Sequence, residues 1–347
     1  MLLSLEDCQK VRVIKDLVLS MIQERVVIDF RNEDIKTPST YWSSFCNKFQ
    51  YMLGLSEEYY GSLRLHTYHL DGDNYQNYFF KRNLKTDKRI WEGLTKDIQK
   101  KYILSAPSYL GEPGYVFNGH VVSTTVLNCQ HAINTFLKEN IMQRLESKPT
   151  RTHILEIGGG YGALAYHINK IIKNTTYVIV DLPETLLFSA VYLSLCLPKQ
   201  SIYIYDRQTF PVSASNNFSG YDFVLLPNYS IDYIKKMRFD LVINMQSFQE
   251  MRPAQLDIYL DFIYGVLDGE LYSWNNDAQA QNQEGVNVTE QLKRKFTIKP
   301  IHWPQPGYSA MSRFLDISPR KILNRFNKIL HHNPSVNLRE YVCTKKP

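Results

Sequence analysis

The chain has 347 residues, of which 44% are hydrophobic, and its 40 Lys and Arg against 34 Asp and Glu give a net charge of +6. This length and apolar content predict two folded domains, or one domain with a large extension. Because the weak positive charge is not gathered into a patch, nucleic acid is excluded as an expected partner.

Residues 1–150 are predicted to be a mostly helical domain. Apolar spacing indicates helices over three segments, Lys10–Glu24, Tyr41–Gly54 and Val121–Arg144, the last as one long helix. Between them, Ser105–Gly119 is rich in Pro and Gly and is expected to be a loop. We interpret residues 1–150 as a lid over a bound substrate, as an oligomerisation region, or as both, which leaves a homodimer open.

Residues 151–347 show short apolar strands that alternate with helices. The predicted strands are Thr152–Ile157, Tyr177–Val180, Phe223–Leu226, Phe239–Asn244, Glu270–Trp274, Phe296–Ile301 and Glu340–Thr344. The predicted helices are Ala163–Lys173, Glu184–Cys196 and Pro253–Leu267. This alternation predicts an α/β domain with a mainly parallel sheet, and ligands of such sheets bind outside the carboxyl ends of the strands.

A glycine-rich turn joins the first predicted strand to its helix. Gly158 and Gly160 let the backbone adopt positive φ angles and approach a ligand closely. Glu156 places a carboxylate at the end of this strand, and Asp181 ends the next strand. A carboxylate at that second position is placed to bind both hydroxyls of a ribose.

The glycine spacing alone leaves two cofactor classes open, because Gly158-x-Gly160-x-x-Ala163 also satisfies the dinucleotide fingerprint. An acidic residue two positions before the first glycine favours S-adenosyl-L-methionine. The position of the motif, in the middle of the chain after a helical region, favours the same cofactor. If the turn bound no ligand, the presence of acidic residues at the ends of both strands, Glu156 and Asp181, would have to be a coincidence.

These residues resemble those of class I S-adenosylmethionine-dependent methyltransferases, and more narrowly those of the bacterial sugar O-methyltransferase family. The resemblance is carried by Glu156-Ile-Gly-Gly-Gly-Tyr-Gly162, Asp181-Leu-Pro-Glu-Thr185, Tyr192-Leu193, Phe239-Asp-Leu-Val-Ile-Asn244 and Ser247-Phe-Gln-Glu-Met251. It implies a class I, Rossmann-like sheet over residues 151–347. It also implies a cofactor site made of Glu156, Gly158, Gly160, Tyr161, Asp181, Leu182, Asn228 and Asn244.

The family resemblance further implies O-methyl transfer to a sugar or nucleotide sugar, in surface polysaccharide or glycolipid biosynthesis. Two alternatives remain from the residues themselves. One is methyl transfer to another small molecule, such as a phenol, a polyketide or a peptide acid. The other is a catalytically silent methyltransferase-like binding module.

A sugar hydroxyl is a weak nucleophile, so its methylation calls for a general base or a metal ion. Plant-type small-molecule O-methyltransferases carry a His-Asp pair after the fourth strand, where this chain has Gln249 and Glu250. Glu250 is therefore one candidate base, and a carboxylate that stabilises the next helix N-terminus is the competing interpretation. His120 and His302 are the other candidates.

A run of two histidines and two aspartates is interpreted as a polar loop, not a metal site: His66, His69, Asp71 and Asp73. The positions that would complete a calcium-binding loop carry Gln76 and Arg82 in place of Gly and Glu. We therefore predict metal independence.

Cysteine spacing and hydropathy indicate the cellular compartment in which the protein is expected. The five cysteines are scattered without a C-x-x-C pair, so we expect neither a disulfide framework nor a cysteine-bound zinc. The N-terminus lacks the features of a signal peptide, and no apolar stretch approaches the roughly 20 residues that span a bilayer. We expect a cytoplasmic protein without a membrane span.

Overall fold

The computed structural model describes residues 3–30, 37–73, 75–81, 83–277, 286–302 and 338–346. These residues form a mixed α/β fold in which helices flank a central, mainly parallel sheet, as the sequence predicts. One continuous hydrophobic cluster runs from Leu3 to Cys343, so the N-terminal helices and the sheet share a core.

The strands are short, apolar and buried. They are β1 (Tyr115–Phe117), β2 (His120–Val122), β3 (Thr152–Ile157), β4 (Thr175–Asp181), β5 (Ile202–Ile204), β6 (Phe223–Pro227), β7 (Phe239–Met245), β8 (Leu267–Asn276), β9 (Phe296–Pro300) and β10 (Leu338–Lys345). The large sheet has the order β5-β6-β4-β3-β7-β8-β10-β9, and β1 and β2 form a separate hairpin. The pairs from β5 through β8 are parallel, whereas β10 runs antiparallel to both β8 and β9.

The helices cover both the N-terminal region and the faces of the sheet. They are α1 (Leu5–Phe30), α2 (Thr40–Gly54), α3 (Tyr68–Asp71), α4 (Tyr75–Phe79), α5 (Leu84–Thr95), α6 (Thr124–Lys138), α7 (Ile141–Ser147), α8 (Ala163–Ile171), α9 (Pro183–Cys196), α10 (Phe210–Ser215), α11 (Pro253–Val266) and α12 (Val288–Lys295). Pro183 and Pro253 each stand in the first turn of a helix, where the missing N–H costs nothing. Within the described ranges, no helix combines the length and apolar character that crossing a membrane requires.

Helix α1 attaches the N-terminal region to the sheet by packing against α9. The guanidinium of Arg25 donates two hydrogen bonds of 2.5 Å to the carboxylate of Glu184 at the start of α9, and both side chains are buried. Phe49 of α2 packs edge-to-face on Phe188 of α9, with ring centroids 5.1 Å apart. The pairing of a buried arginine with a buried carboxylate fixes how α1 lies on α9.

The segment Val121–Arg144 is not the one long helix that its apolar spacing predicts. Val121 and Val122 belong to β2, and the hydroxyl of Ser123 accepts a hydrogen bond from the amide of Val126 and caps α6. Asn140 adopts a left-handed conformation with φ of 57°, which separates α6 from α7. Asparagine tolerates this conformation better than most residues, so the chain turns there.

The predicted loop Ser105–Gly119 contains a strand. Tyr115 pairs with Val122, and Phe117 pairs with His120, across a two-residue turn made of Asn118 and Gly119. Both turn residues have positive φ angles, 50° and 81°. Asn-Gly between apolar residues favours such a hairpin, so this signal was present in the sequence.

Strand β3 lies at the point where the order of the parallel strands switches sides: the strands that follow β3 along the chain are first added on one side of it and then on the other. It pairs with β4 on one side and with β7 on the other. The connections that leave the carboxyl ends of β3 and β7 therefore diverge. A crevice at such a point is where open α/β sheets bind ligands.

Candidate functional site

A cavity opens at this point. The space not filled by protein atoms measures about 810 Å³, which includes the part of the cavity that is open to solvent. Its floor is made by the carboxyl ends of β3, β4, β6 and β7, and its wall by α11. Its roof comes from the segment before α2, from α2 and from α3. The lining residues are Pro38, Ser39, Trp42, His69, Leu70, Ile157, Gly158, Gly160, Val180, Asp181, Leu182, Thr185, Asn228, Met245, Gln246, Ser247, Glu250, Met251, Gln255 and Tyr259.

The glycine-rich turn after β3 needs its glycines for two different reasons. Gly158 has a φ of 76°, and a Cβ there would lie 2.2 Å from the hydroxyl oxygen and 2.4 Å from the Cβ of Ser247. Gly160 has a φ of 56°, but a Cβ there would meet no atom within 4 Å. Gly158 therefore lets the turn after β7 pack against it, whereas Gly160 leaves space free in the cavity.

Asp181, at the tip of β4, is tied to that turn. One carboxylate oxygen accepts a hydrogen bond of 3.0 Å from the amide of Gly160, and the other accepts one of 2.7 Å from the amide of Leu182. Its deep position raises the pKa of Asp181 to about 7, although the two amides act in the opposite direction. A carboxylate offers about four lone-pair sites, so it keeps acceptor capacity for a ligand in the cavity.

Glu156 is the penultimate residue of β3, directly before the turn. It is buried, and one of its oxygens accepts a hydrogen bond of 2.9 Å from the hydroxyl of Tyr177. Burial raises the pKa of Glu156 to about 7, and the charge of Asp181 acts in the same direction. The same oxygen lies 3.1 Å from where a Cβ on Gly159 would stand, so the carboxylate supports the turn from below.

The end of β7 is held by a buried amide network. Asn244 donates to the carbonyl of Ile157 at 2.8 Å and to the hydroxyl of Ser247 at 3.1 Å, and it accepts from the amide of Phe248 at 3.0 Å. The next residue but one, Gln246, has a φ of 58° and lines the cavity. Backbone strain of this kind is commonly stored at functional sites.

A hydrogen bond between Trp42 and Glu250 connects the roof of the cavity to its floor. The indole Nε1 of Trp42 in α2 donates a hydrogen bond of 2.8 Å to Oε2 of Glu250. Glu250 lies in the single 3₁₀ turn Phe248–Glu250 that follows β7. His69 of α3 also lines the cavity and stands beside Phe45, with ring centroids 5.2 Å apart.

The predicted cofactor residues divide into two groups in the structure. Those that line the cavity are Gly158, Gly160, Asp181, Leu182 and Asn228. Three others, Glu156, Tyr161 and Asn244, are not among the lining residues. The ring of Tyr161 faces the buried guanidinium of Arg64, which lies 3.7 Å from the ring centroid.

Two of the three predicted bases are not at the cavity, which is a correction to the predicted set. His120 is the first residue of β2 in the hairpin and stands near Trp91, with ring centroids 5.7 Å apart. His302 is exposed beyond the edge strand β9, and its carbonyl accepts a hydrogen bond from Lys138. Of the three candidates, Glu250 is the one the fold brings to the cavity.

The lining residues that sequence reasoning did not assign to the site include Trp42, His69 and Gln246. Trp42 and His69 come from a region whose helices carry no recognisable motif, and only tertiary contacts bring them over the sheet. Among the described residues, no group of three or more His, Cys, Asp and Glu is arranged to hold a metal ion.

No family model and no curated protein matches the sequence. Several solved structures are similar to the chain. A Haemonchus contortus phosphoethanolamine N-methyltransferase 2, in complex with S-adenosyl-L-methionine, is 13% identical over 61% of this chain and 52% of its own, with a TM-score of 0.38. The CurJ carbon methyltransferase is 13% identical over 79% and 70%, with a TM-score of 0.39. The N-methyltransferase NodS from Bradyrhizobium japonicum, in complex with S-adenosyl-L-homocysteine, is 11% identical over 76% and 98%, with a TM-score of 0.34.

This chain thus spans about half the length of the first of these structures. The activities and ligands named for them are properties of those proteins.

Proposed function

We propose that the chain is an S-adenosyl-L-methionine-dependent methyltransferase of the class I type and that the cavity is its active site. One observation carries the proposal: the amide of Gly160 donates to Asp181 at 3.0 Å, both residues line the cavity, and a Cβ on Gly160 would meet open space. The glycine turn and the carboxylate at the end of β4 can therefore contact the same ligand. That is the arrangement a nucleoside ligand needs.

The lining residues fit this cofactor. Asp181 has free acceptor capacity toward the cavity and would take hydrogen bonds from the ribose hydroxyls. The turn around Gly160 would lie against the ligand, and Asn228, buried after β6, would face the adenine edge. When bound, the cofactor supplies a methyl group on a sulfonium, which an acceptor oxygen attacks in line.

We place the acceptor between the cofactor residues and the roof, with a sugar hydroxyl as the group methylated. Glu250 would take the proton from that hydroxyl, since a neutral hydroxyl is a poor nucleophile. Trp42 and His69 bring aromatic side chains to the cavity, and side chains of this kind can pack against a sugar ring. Residues 1–150 would then act as the acceptor lid, and residues 151–347 as the cofactor-binding domain.

The aromatic side chains of Trp42 and His69 also favour a second candidate acceptor, a planar phenol. Both acceptors use the same carboxylate as base. They differ in a measurable way, because a phenol ionises near pH 10 and a sugar hydroxyl does not ionise in the working range. A panel of sugars, nucleotide sugars and phenols with labelled cofactor separates them by which acceptor gains the label.

The first test is calorimetric titration with S-adenosyl-L-methionine. The wild-type chain should bind it, and Asp181→Ala should bind it more weakly by about 1.5–3 kcal/mol, the usual contribution of hydrogen bonds to a charged group. Thermal unfolding of the variant shows whether the fold is retained. A folded Asp181→Ala protein with unchanged affinity would remove the site assignment. Binding without transfer to any member of the panel would instead favour the silent binding module.

A further inference from the structure

We propose that Trp42 is a positioning residue for the chemical step, and that its indole N–H holds the carboxylate of Glu250 toward the acceptor. The inference rests on the proposed function, because it assigns a role to a residue outside the sheet that carries the cofactor site. Its structural basis is the hydrogen bond of 2.8 Å between Trp42 and Glu250, both of which line the cavity.

The backbone of Glu250 is anchored by the sheet. The turn Phe248–Glu250 is fixed by Asn244, which accepts from the amide of Phe248. The side chain of Gln249, in the same turn, accepts from the amide of Asn276 at the end of β8. The position of the Glu250 Cα is thus set by β7 and β8, while the direction of its carboxylate depends on what the side chain meets.

Trp42 is itself held in place from the roof. Its amide donates to the hydroxyl of Ser39 at the start of α2, and its ring packs against Tyr41 and Phe45 at centroid distances of 5.9 and 5.5 Å. An indole N–H is a donor only, so it can bind the carboxylate but cannot compete with it for a proton. A donor of this type orients a base without replacing it.

A donor to a carboxylate stabilises the charged form and keeps the base ionised at lower pH. Other titratable groups face the same volume: Asp181, His69 and Tyr259 line the cavity, and Tyr41 stands next to Trp42. Burial, and after it the charge of Glu250, raise the pKa of Tyr41 to about 12, so Tyr41 stays a neutral neighbour. Trp42 therefore adds a neutral donor to a group of side chains that already includes a second carboxylate.

The experiment compares Trp42→Phe with Glu250→Gln and with the double variant. Trp42→Phe keeps an aromatic ring but loses the N–H together with the pyrrole half of the indole, and we expect turnover to fall about tenfold at unchanged cofactor affinity, with the acidic limb of the rate profile moved up by about one pH unit. In the Glu250→Gln background the same change should cost nothing further. Phe45→Leu is the matched control, because it loosens the packing of the ring and keeps the N–H; its acidic limb should stay in place.

A second readout needs no cofactor. Nitrogen–proton correlation spectra of the cofactor-free protein show the indole signals of its four tryptophans, and Trp42→Phe identifies the one that belongs to Trp42. That signal should shift with pH in the wild type and lose the shift in Glu250→Gln. Indifference of the signal to Glu250→Gln, additive losses in the double variant, or an unmoved acidic limb would each overturn the positioning role. Failure of the wild type to bind S-adenosyl-L-methionine would overturn the proposed function, while the spectra still report on the pair.

Discussion

The floor and the roof of the cavity are built in different ways. The floor is made of strand ends whose key atoms are largely backbone, such as the amide of Gly160, and of carboxylates fixed by backbone donors, such as Asp181. The roof is made of side chains on helices, and Trp42 reaches the floor through one side-chain hydrogen bond. The floor is therefore fixed by backbone hydrogen bonds, whereas the roof depends on contacts between side chains of different helices and turns.

The largest expected effect concerns Glu250, where roof and floor meet. If it is the base, Glu250→Gln should keep the shape and cofactor affinity of the protein and lower turnover by about 10²–10⁴. The rate profile should lose its acidic limb, because an amide does not titrate. Steady-state kinetics from pH 5 to 9, with cofactor affinity measured in parallel, checks this.

His120→Ala and His302→Ala serve as controls, since the structure places neither histidine among the lining residues. Neither change should lower turnover tenfold. A loss for Glu250→Gln smaller than tenfold would mean that alignment of the reactants alone drives the transfer.

The second effect tests the attachment of the roof. Arg25→Ala removes one partner of the buried pair with Glu184 and leaves the carboxylate buried without its guanidinium. Breaking such a pair costs about 3–5 kcal/mol. Urea unfolding followed by circular dichroism measures the loss of unfolding free energy.

The paired change Arg25→Met with Glu184→Gln is the control for this second effect, and it should recover most of the stability because no uncompensated charge remains. A loss below about 1 kcal/mol for Arg25→Ala would show that the pair is not what holds α1 on α9.

A third prediction separates two roles within the floor. Gly158→Ala should lower the free energy of unfolding by about 2–4 kcal/mol, through positive φ and the overlap with Ser247. Gly160→Ala has no such overlap and should cost about 1 kcal/mol of stability. Its methyl group points into free space in the cavity, so cofactor affinity should fall instead.

Chemical unfolding and calorimetry on the same two variants distinguish these outcomes. Equal losses of stability for both glycines would contradict the assignment of packing to one and ligand space to the other.

The smallest effect is a pH dependence of the floor. Burial raises the pKa of Asp181 to about 7, and ribose hydroxyls bind its charged form more strongly. Affinity for adenosine, which has no group titrating near neutrality, should therefore be constant above pH 7 and weaken by less than about tenfold as pH falls below it. Asp181→Asn should remove this slope, and Glu156→Gln should retain it. A slope that survives in Asp181→Asn belongs to another group.

The sequence by itself determined most strands of the sheet and its mainly parallel character. Apolar runs bounded by Gly and acidic residues predicted strands at β3, β4, β6 and β7, because strands buried on both faces must be apolar along their length. The three-residue strand β5 escaped prediction because so short a run has no measurable period. The hairpin of β1 and β2 was not predicted, although the Asn-Gly pair in its turn is a known sequence signal for a hairpin.

Only the tertiary structure decided which side chains share the cavity. The sequence favoured Glu250 over His120 and His302 because it follows the fourth strand of the predicted sheet, and among the three it is the one that lines the cavity. Trp42 lies 208 residues from Glu250 along the chain, and no local pattern encodes that contact. Local sequence fixes backbone conformation through sterics and burial, whereas the pairing of distant side chains depends on how the layers pack.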